Sequence, residues 1–139
     1  MQISIGELSR QTGVKVPTIR YYESVGLMPE PPRTTGSQRR YGEAEVVRLN
    51  FIRHSRELGF EVDAIRELLT LNAHPERSCA EVDTIARRHL AEVDRRIEKL
   101  EGLRDELSRM IAECGQGRVG ECRVIETLSD HGKCADERH

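Results

Sequence analysis

The chain has 139 residues, of which 33% are charged and 4% aromatic, so it can bury one modest core, with helices and self-association left to supply much of the stability. No stretch approaches the ~18 apolar residues of a membrane span, and MQISIGELSR has no basic region leading into an apolar run, which points to a cytoplasmic protein with no membrane partner. The formal net charge of -2 hides an asymmetry: residues 1–60 carry 9 Lys/Arg against 6 Asp/Glu, residues 61–139 carry 13 against 18, and only the front part suits a polyanion.

Ser4 followed three residues later by Glu7 reads as a capping box, opening a helix of about two turns that the Thr12-Gly13 pair ends. After TGVKV, Pro17 stands where a first helical turn tolerates a missing N–H, and PTIRYYESVG predicts a second helix to Gly26. Helix, glycine-containing turn and helix form a helix-turn-helix pattern. Lys15, Thr18, Arg20 and Tyr21 gather at the leading end of the second helix, a set suited to phosphates and base edges. A helical hairpin with a solvated basic face would show the same local pattern.

The prolines and glycine of LMPEPPRTTGSQRRY exclude a helix, and RTTGSQRRY predicts two short strands around Thr35-Gly36-Ser37, a wing carrying Arg33, Arg39, Arg40 and Tyr41. Three cations there suit a phosphate backbone; a polar hairpin with solvated arginines is the competing account. EAEVVRLNFIRHSRELG predicts a third helix with Val46, Leu49, Phe51 and Ile52 inward, leaving Arg48, Arg53 and Arg56 outside that face. VDAIRELLTL predicts a fourth with Ile65, Leu68 and Leu69 on the same core. NAHPERS breaks the fourth helix.

From Ala80 to Glu113 a seven-residue repeat runs through Ala86, Val93, Leu100, Leu107 and Cys114, interleaved with Leu90, Ile97 and Ile111. That 3-4 spacing is a coiled-coil seam, and about 34 residues would span about 50 Å. No other segment is long enough to cover it, so a second copy is the simplest partner. If two copies run antiparallel, Cys79 of one subunit comes near Cys114 and Cys122 of its mate. Alternatively, Cys114 is only a small core hydrophobe and Cys79 an incidental linker residue. Four cysteines without a secretion signal favour thiolate chemistry over disulfides. The loop CGQGRVGEC has three glycines that let the backbone wrap an ion. Arg104 sits where the seam expects an apolar side chain, and His131, Cys134 and His139 in the tail are possible extra ligands. No nucleophile-base pair, cofactor loop or paired carboxylates suggest an enzyme.

The run IGELSRQTGVKVPTIRYYESVGLMPEPPRTTGSQRRYGEAEVVRLNFIRHSRELGF resembles the DNA-binding domain of the MerR family of bacterial transcription regulators, and with the cysteine pattern the resemblance extends to about residue 128. It implies a mainly α chain: a winged helix-turn-helix DNA-binding domain over residues 1–72, a linker over 73–79, a long dimerisation helix over 80–113 in an antiparallel coiled coil, and a metal-binding loop, short helix and tail over 114–139. It implies a homodimer on double-stranded promoter DNA that works with RNA polymerase by bending and untwisting an overlong spacer. Lys15, Thr18, Arg20, Tyr21, Arg33, Arg40 and Tyr41 would form the DNA-contacting set. QRRY departs from the family's FRLY-like pattern at Arg39.

The family's metal-responsive branch places a cysteine before the dimer helix and two around the following loop, matched here by Cys79, Cys114 and Cys122. Two thiolates balance a monovalent ion such as Cu(I), and a third suits a divalent soft ion, Zn(II), Cd(II), Pb(II) or Hg(II). Cys79 stands where the monovalent sensors resemble one another in having Ser, which favours the divalent reading. The seven-residue gap between Cys114 and Cys122 resembles the copper sensors and keeps Cu(I) as the alternative. A redox or electrophile sensor of the same fold, and a thiol-based metal buffer, are the other readings.

Overall fold

A computed structural model describes residues 2–30, 40–114 and 117–130. The chain divides into two compact units, residues 1–85 and 86–139. In order, its helices are α1 (Ile5–Thr12), α2 (Val16–Ser24), α3 (Glu43–Glu57), α4 (Val62–Asn72), α5 (Ala80–Glu113) and α6 (Arg123–Ser129), with a short 3-10 turn at Val119–Glu121.

Ser4 caps α1 by accepting the Glu7 N–H at 3.2 Å. The reciprocal half of the expected capping box is not made, because the Glu7 carboxylate turns to Arg10 at 2.7 Å and Gln11 at 3.3 Å. A charge-assisted bond outcompetes the backbone N–H. Those bonds, led by Arg10, hold the Glu7 carboxyl below its ordinary range. Gly13 ends the helix at φ 74°, its N–H on Ser9 O, and buried Thr12 ties the turn by donating to Leu8 O and accepting from Val14 N–H. A Cβ at that φ would be strained, which is why glycine sits between the two helices.

α2 begins at Val16 with Pro17 in its first turn, and Gly26 at φ 80° carries the chain away from its end. Ile19 and Tyr22, three residues apart, are its buried positions. They join Leu8, Leu27, Met28, Tyr41, Leu49, Ile52, Ile65 and Leu69 in the core of the first unit, with Val46 and Phe51 partly buried against it. Each fully buried aliphatic side chain contributes about 2 kcal/mol. α3 opens at Gly42, whose N–H donates to Glu45 at 2.8 Å, and Arg48 Nε donates to Leu27 O at 2.6 Å, fastening α3 to the segment that leaves α2. The helices of the first unit therefore follow the expected order, and α3 stops two residues before Gly59, which adopts φ 88°.

The expected wing strands around Thr35-Gly36-Ser37 lie outside the described residues. Where that stretch ends, Tyr41 pairs antiparallel with Ile3 through two backbone hydrogen bonds of 2.8 and 2.9 Å.

α5 runs 34 residues, as the heptads predict. Its seam stands open on the single chain: Leu90, Ile97, Leu100, Leu107 and Ile111 are 48–68% exposed. Near the end of the helix Glu106 is buried and bonded to Arg109, which also pairs with Glu113 at 3.1 Å. Arg123 of α6 reaches the same Glu113 at 2.8 Å and so ties the last helix to the end of α5. Among the described residues no helix is long and apolar enough to cross a membrane.

Candidate metal centre and nucleic-acid interface

Burial of Ile19 and Tyr22 turns the opposite face of α2 outward. Lys15, Pro17, Arg20 and Tyr21 are exposed and Thr18 half-exposed, so four of the residues expected to meet DNA are accessible. Tyr21 is 51% exposed, its ring tilted against Tyr22 with centroids 5.9 Å apart, while Ser24 Oγ donates to Tyr21 O. The packing holds the phenol in place without covering it. Arg20 borders a cleft with Glu23, Ser24 and Glu30.

Tyr41 requires a correction. It was expected in the DNA-contacting set, but it is fully buried, and its hydroxyl donates to Glu23 Oε2 at 2.8 Å. Its ring supplies core contacts, so it anchors the end of the wing segment and offers DNA no face. Arg40 beside it is half-buried. Arg33 and Arg39 lie outside the described residues.

The first unit also brings together residues that sequence reasoning kept apart. Lys15, Thr18 and Tyr22 of α2 share an open notch with Arg53, Arg56 and Glu57 of α3, with Gly13 beside them. Arg53 and Arg56 were read only as lying off the core face; their i, i+3 spacing, which puts both on one side of α3, was the signal available.

The cysteines fall at helix ends. Cys79 directly precedes α5 and is exposed; its carbonyl accepts the Asp83 N–H at 2.9 Å, while Ser78 Oγ accepts from Ala80 N–H. It lines a groove with Phe51, Leu68, His74 and Val82. Cys114 follows the last turn of α5, its N–H on Ile111 O at 3.1 Å, and is half-buried. Cys122 stands at the start of α6, its carbonyl accepting the Glu126 N–H at 3.0 Å.

The turn at Val119–Glu121 brings Cys122 back to Cys114. The Cys122 sulfur accepts backbone N–H groups of Ile125 and Val124 and a side-chain hydrogen bond from Cys114, and these, in that order apart from an opposing desolvation, lower its pKa below that of an ordinary thiol. Backbone donors at a helix start stabilise the thiolate over the thiol. Two adjacent sulfurs, one favoured as thiolate, fit a soft or borderline cation. Among the described residues of one protomer no three His, Cys, Asp or Glu side chains gather into an ion-holding group. His131, Cys134 and His139 lie outside the described residues.

Known proteins carry the same pattern. Residues 3–71 match a profile described as MerR HTH family regulatory protein, and residues 46–110 match one described as MerR, DNA binding. The HTH-type transcriptional regulator HmrR of Sinorhizobium medicae is 39% identical over 134 residues, spanning 96% of this chain and 90% of that protein. Heavy metal-dependent transcription regulator 2 of Rhizobium meliloti is 36% identical over 128 residues, spanning 92% and 87%. The crystal structure of the transcription regulator PbrR691 from Ralstonia metallidurans CH34 in complex with lead(II) superimposes with a TM-score of 0.78 at 38% identity, covering 91% of this chain and 98% of that one. Two family profiles that together run from residue 3 to residue 110, a relative 39% identical along nearly the whole chain and a superposition covering 91% of it lead to one conclusion: the chain belongs to the MerR family of helix-turn-helix, DNA-binding transcription regulators.

Proposed function

We propose that this chain is a metal-responsive transcriptional activator that binds promoter DNA as a homodimer and distorts it when a divalent soft ion, Zn(II), Cd(II), Pb(II) or Hg(II), is bound. The observation that carries the metal reading is the pairing of Cys114 with Cys122, whose sulfur is held toward the thiolate by the start of α6. A relative named as heavy metal-dependent and a neighbour whose structure contains lead(II) support it.

The open seam of α5 supports a second copy as its cover, because burying five large apolar side chains against a matching helix removes them from water at about 1.5–3 kcal/mol each. In an antiparallel pair the third ligand is the mate's Cys79, which would bridge the loop of one protomer to the DNA-binding unit of the other. The protein's part is to supply deprotonated sulfur, hold the α5–α6 corner through Arg123 and Glu113, and present α2 with Lys15, Thr18, Arg20 and Tyr21 to the DNA. Arg33 and Arg40 of the wing complete that surface. Ion binding biases the dimer toward the state that bends and untwists the promoter for RNA polymerase. Its site of action is the cytoplasm, and no catalytic step is involved.

A Cu(I)-responsive regulator using Cys114 and Cys122 alone is the second reading, favoured by the fact that, among the described residues, one protomer brings these two sulfurs together without a third ligand. An anaerobic ultraviolet titration of reduced protein with Cd(II), with and without competing Cu(I), in wild type and Cys79→Ser, separates the two. A thiolate-to-Cd(II) band that saturates in wild type and collapses in the variant supports the three-cysteine site. Easy displacement by Cu(I), with no effect of the substitution, assigns the loop pair alone.

A further inference from the structure

We propose that Glu113 and Arg123 form an ionic clasp that sets the Cys114 and Cys122 sulfurs beside each other before an ion arrives, which makes both of them positioning residues of the metal centre. The clasp's role rests on the metal reading of that cysteine pair and adds two side chains that carry no sulfur.

Glu113 directly precedes Cys114 at the end of α5, and Arg123 directly follows Cys122 at the start of α6. Arg123 Nε donates to Glu113 Oε2 at 2.8 Å, across ten positions of chain. A bond between these two outer neighbours limits how far apart the cysteines they enclose can move. The three glycines of CGQGRVGEC give the loop many other conformations. An interaction that removes those conformations in advance lowers the cost of closing two sulfurs on an ion.

The clasp is anchored from both sides. Glu113 also accepts from Arg109 at 3.1 Å, and Arg109 is bonded to buried Glu106 within α5. Arg123 in turn lies 3.4 Å from Glu126. A chain of alternating charges thus runs from a buried position of α5 into the first turn of α6, and each side chain is ordered by the next, which an isolated surface pair lacks. α6 leaves Ile125 47% and Leu128 72% exposed, so these two apolar side chains bury little on the single chain and the charged tie carries more of its placement. The Arg123 and Glu113 side chains are 31% and 43% exposed, so dissolved salt reaches the pair and weakens it.

The test uses full-length Cys79→Ser/Cys134→Ser protein, free of metal and equilibrated anaerobically with reduced and oxidised glutathione. Glutathione disulfide takes two electrons and two protons from the Cys114 and Cys122 thiols, leaving one S–S bond in the protein and two glutathione thiols in solution. The equilibrium constant therefore reads how readily the two sulfurs meet. Arg123→Gln and Glu113→Gln should each lower it about two- to fivefold, and the double variant should lose little more than either alone. Losses that add in the double variant overturn the clasp. Raising potassium fluoride from about 0.05 to about 0.5 M should lower the wild-type constant and leave Arg123→Gln nearly unmoved. Equal salt responses overturn the ionic account, because a variant that merely frays α6 would keep the wild-type response. Arg123→Lys keeps the charge and should recover about half of the loss or more; no recovery also counts against an ion pair. In the otherwise native chain, Cd(II) affinity, read from the thiolate ultraviolet band in competition with a chelator, should fall in Arg123→Gln by the same factor. Unchanged Cd(II) affinity overturns the role at the metal centre. Wild type with no thiolate-to-Cd(II) band would fail the metal reading itself and take the assigned role with it, a result distinct from additive losses.

Discussion

The hydroxyl of Tyr41 donates a 2.8 Å hydrogen bond to the carboxylate of Glu23, joining the end of the wing segment to the recognition helix α2. Together with the Ile3–Tyr41 bridge it pins three separate stretches, residue 3, residue 23 and residue 41, to one point beside the core.

Tyr41→Phe keeps the ring and removes the donor. A bond to a charged acceptor in a partly buried place is worth about 1–2 kcal/mol, so the variant should lose about that much in urea unfolding. Tyr41→Ala should lose about 3–5 kcal/mol, because it also empties a fully buried position. Equal, near-zero effects of the two would show that the ring packs nothing.

Cys122 gives a pH prediction. Its folded pKa is depressed by the Ile125 and Val124 N–H groups and by Cys114, so its contribution to stability is fully present above the unfolded thiol value of about 8.5 and is lost as pH falls through the folded value. In Cys79→Ser/Cys134→Ser protein, thiolate absorbance near the ultraviolet edge should rise in two steps, the first below the ordinary thiol value. Unfolding the same protein in guanidinium should move that first step up. A first step already at the free-thiol value in folded protein contradicts the account.

The seam predicts its own weak point. Ile97 lies midway along α5 and is 48% exposed on the single chain. Ile97→Asp would put a charge in what the dimer reading makes a dry interface, so sedimentation should show a shift toward monomer with loss of helicity, whereas Glu101→Gln, off the seam, should leave the mass unchanged. A wild type that sediments as monomer would remove the coiled-coil reading altogether.

Much of this fold was legible because its signals are local. Ser4, Gly13, Pro17, Gly26 and Gly59 mark helix ends through capping and backbone chemistry, and the heptads of α5 state their period outright. What escaped was tertiary. Glu7 could not be read as Arg10's partner instead of a capping-box acceptor, since both choices lie three residues away. Tyr41 follows two arginines and so looked like part of their surface; only the bridge to Ile3 turns it inward. Arg53 was legible as an off-core cation but not as lining one notch with Lys15, because that depends on how α3 crosses the turn. The spacing set Cys114 and Cys122 at the two ends of one glycine-containing stretch, and the side-chain hydrogen bond between them joins those ends.

On the proposed function, Cys79 should separate sensing from binding. It lies before α5, exposed, outside the helix-turn-helix pair, and it is not a seam position. Cys79→Ser is nearly isosteric and keeps the carbonyl that accepts the Asp83 N–H, so the start of α5 should be undisturbed. The variant should therefore sediment like wild type and, without metal, bind a duplex that wild type enriches from a random-sequence library to within about twofold, a difference under about 0.5 kcal/mol. Its metal-dependent transcription in a reconstituted assay should fall at least tenfold for Zn(II), Cd(II), Pb(II) or Hg(II). Retention of full response places the ion on Cys114 and Cys122 alone and returns the protein to the monovalent reading. Loss of DNA binding together with response would instead mean that Cys79 holds the linker, and that the two roles are not separable at this residue.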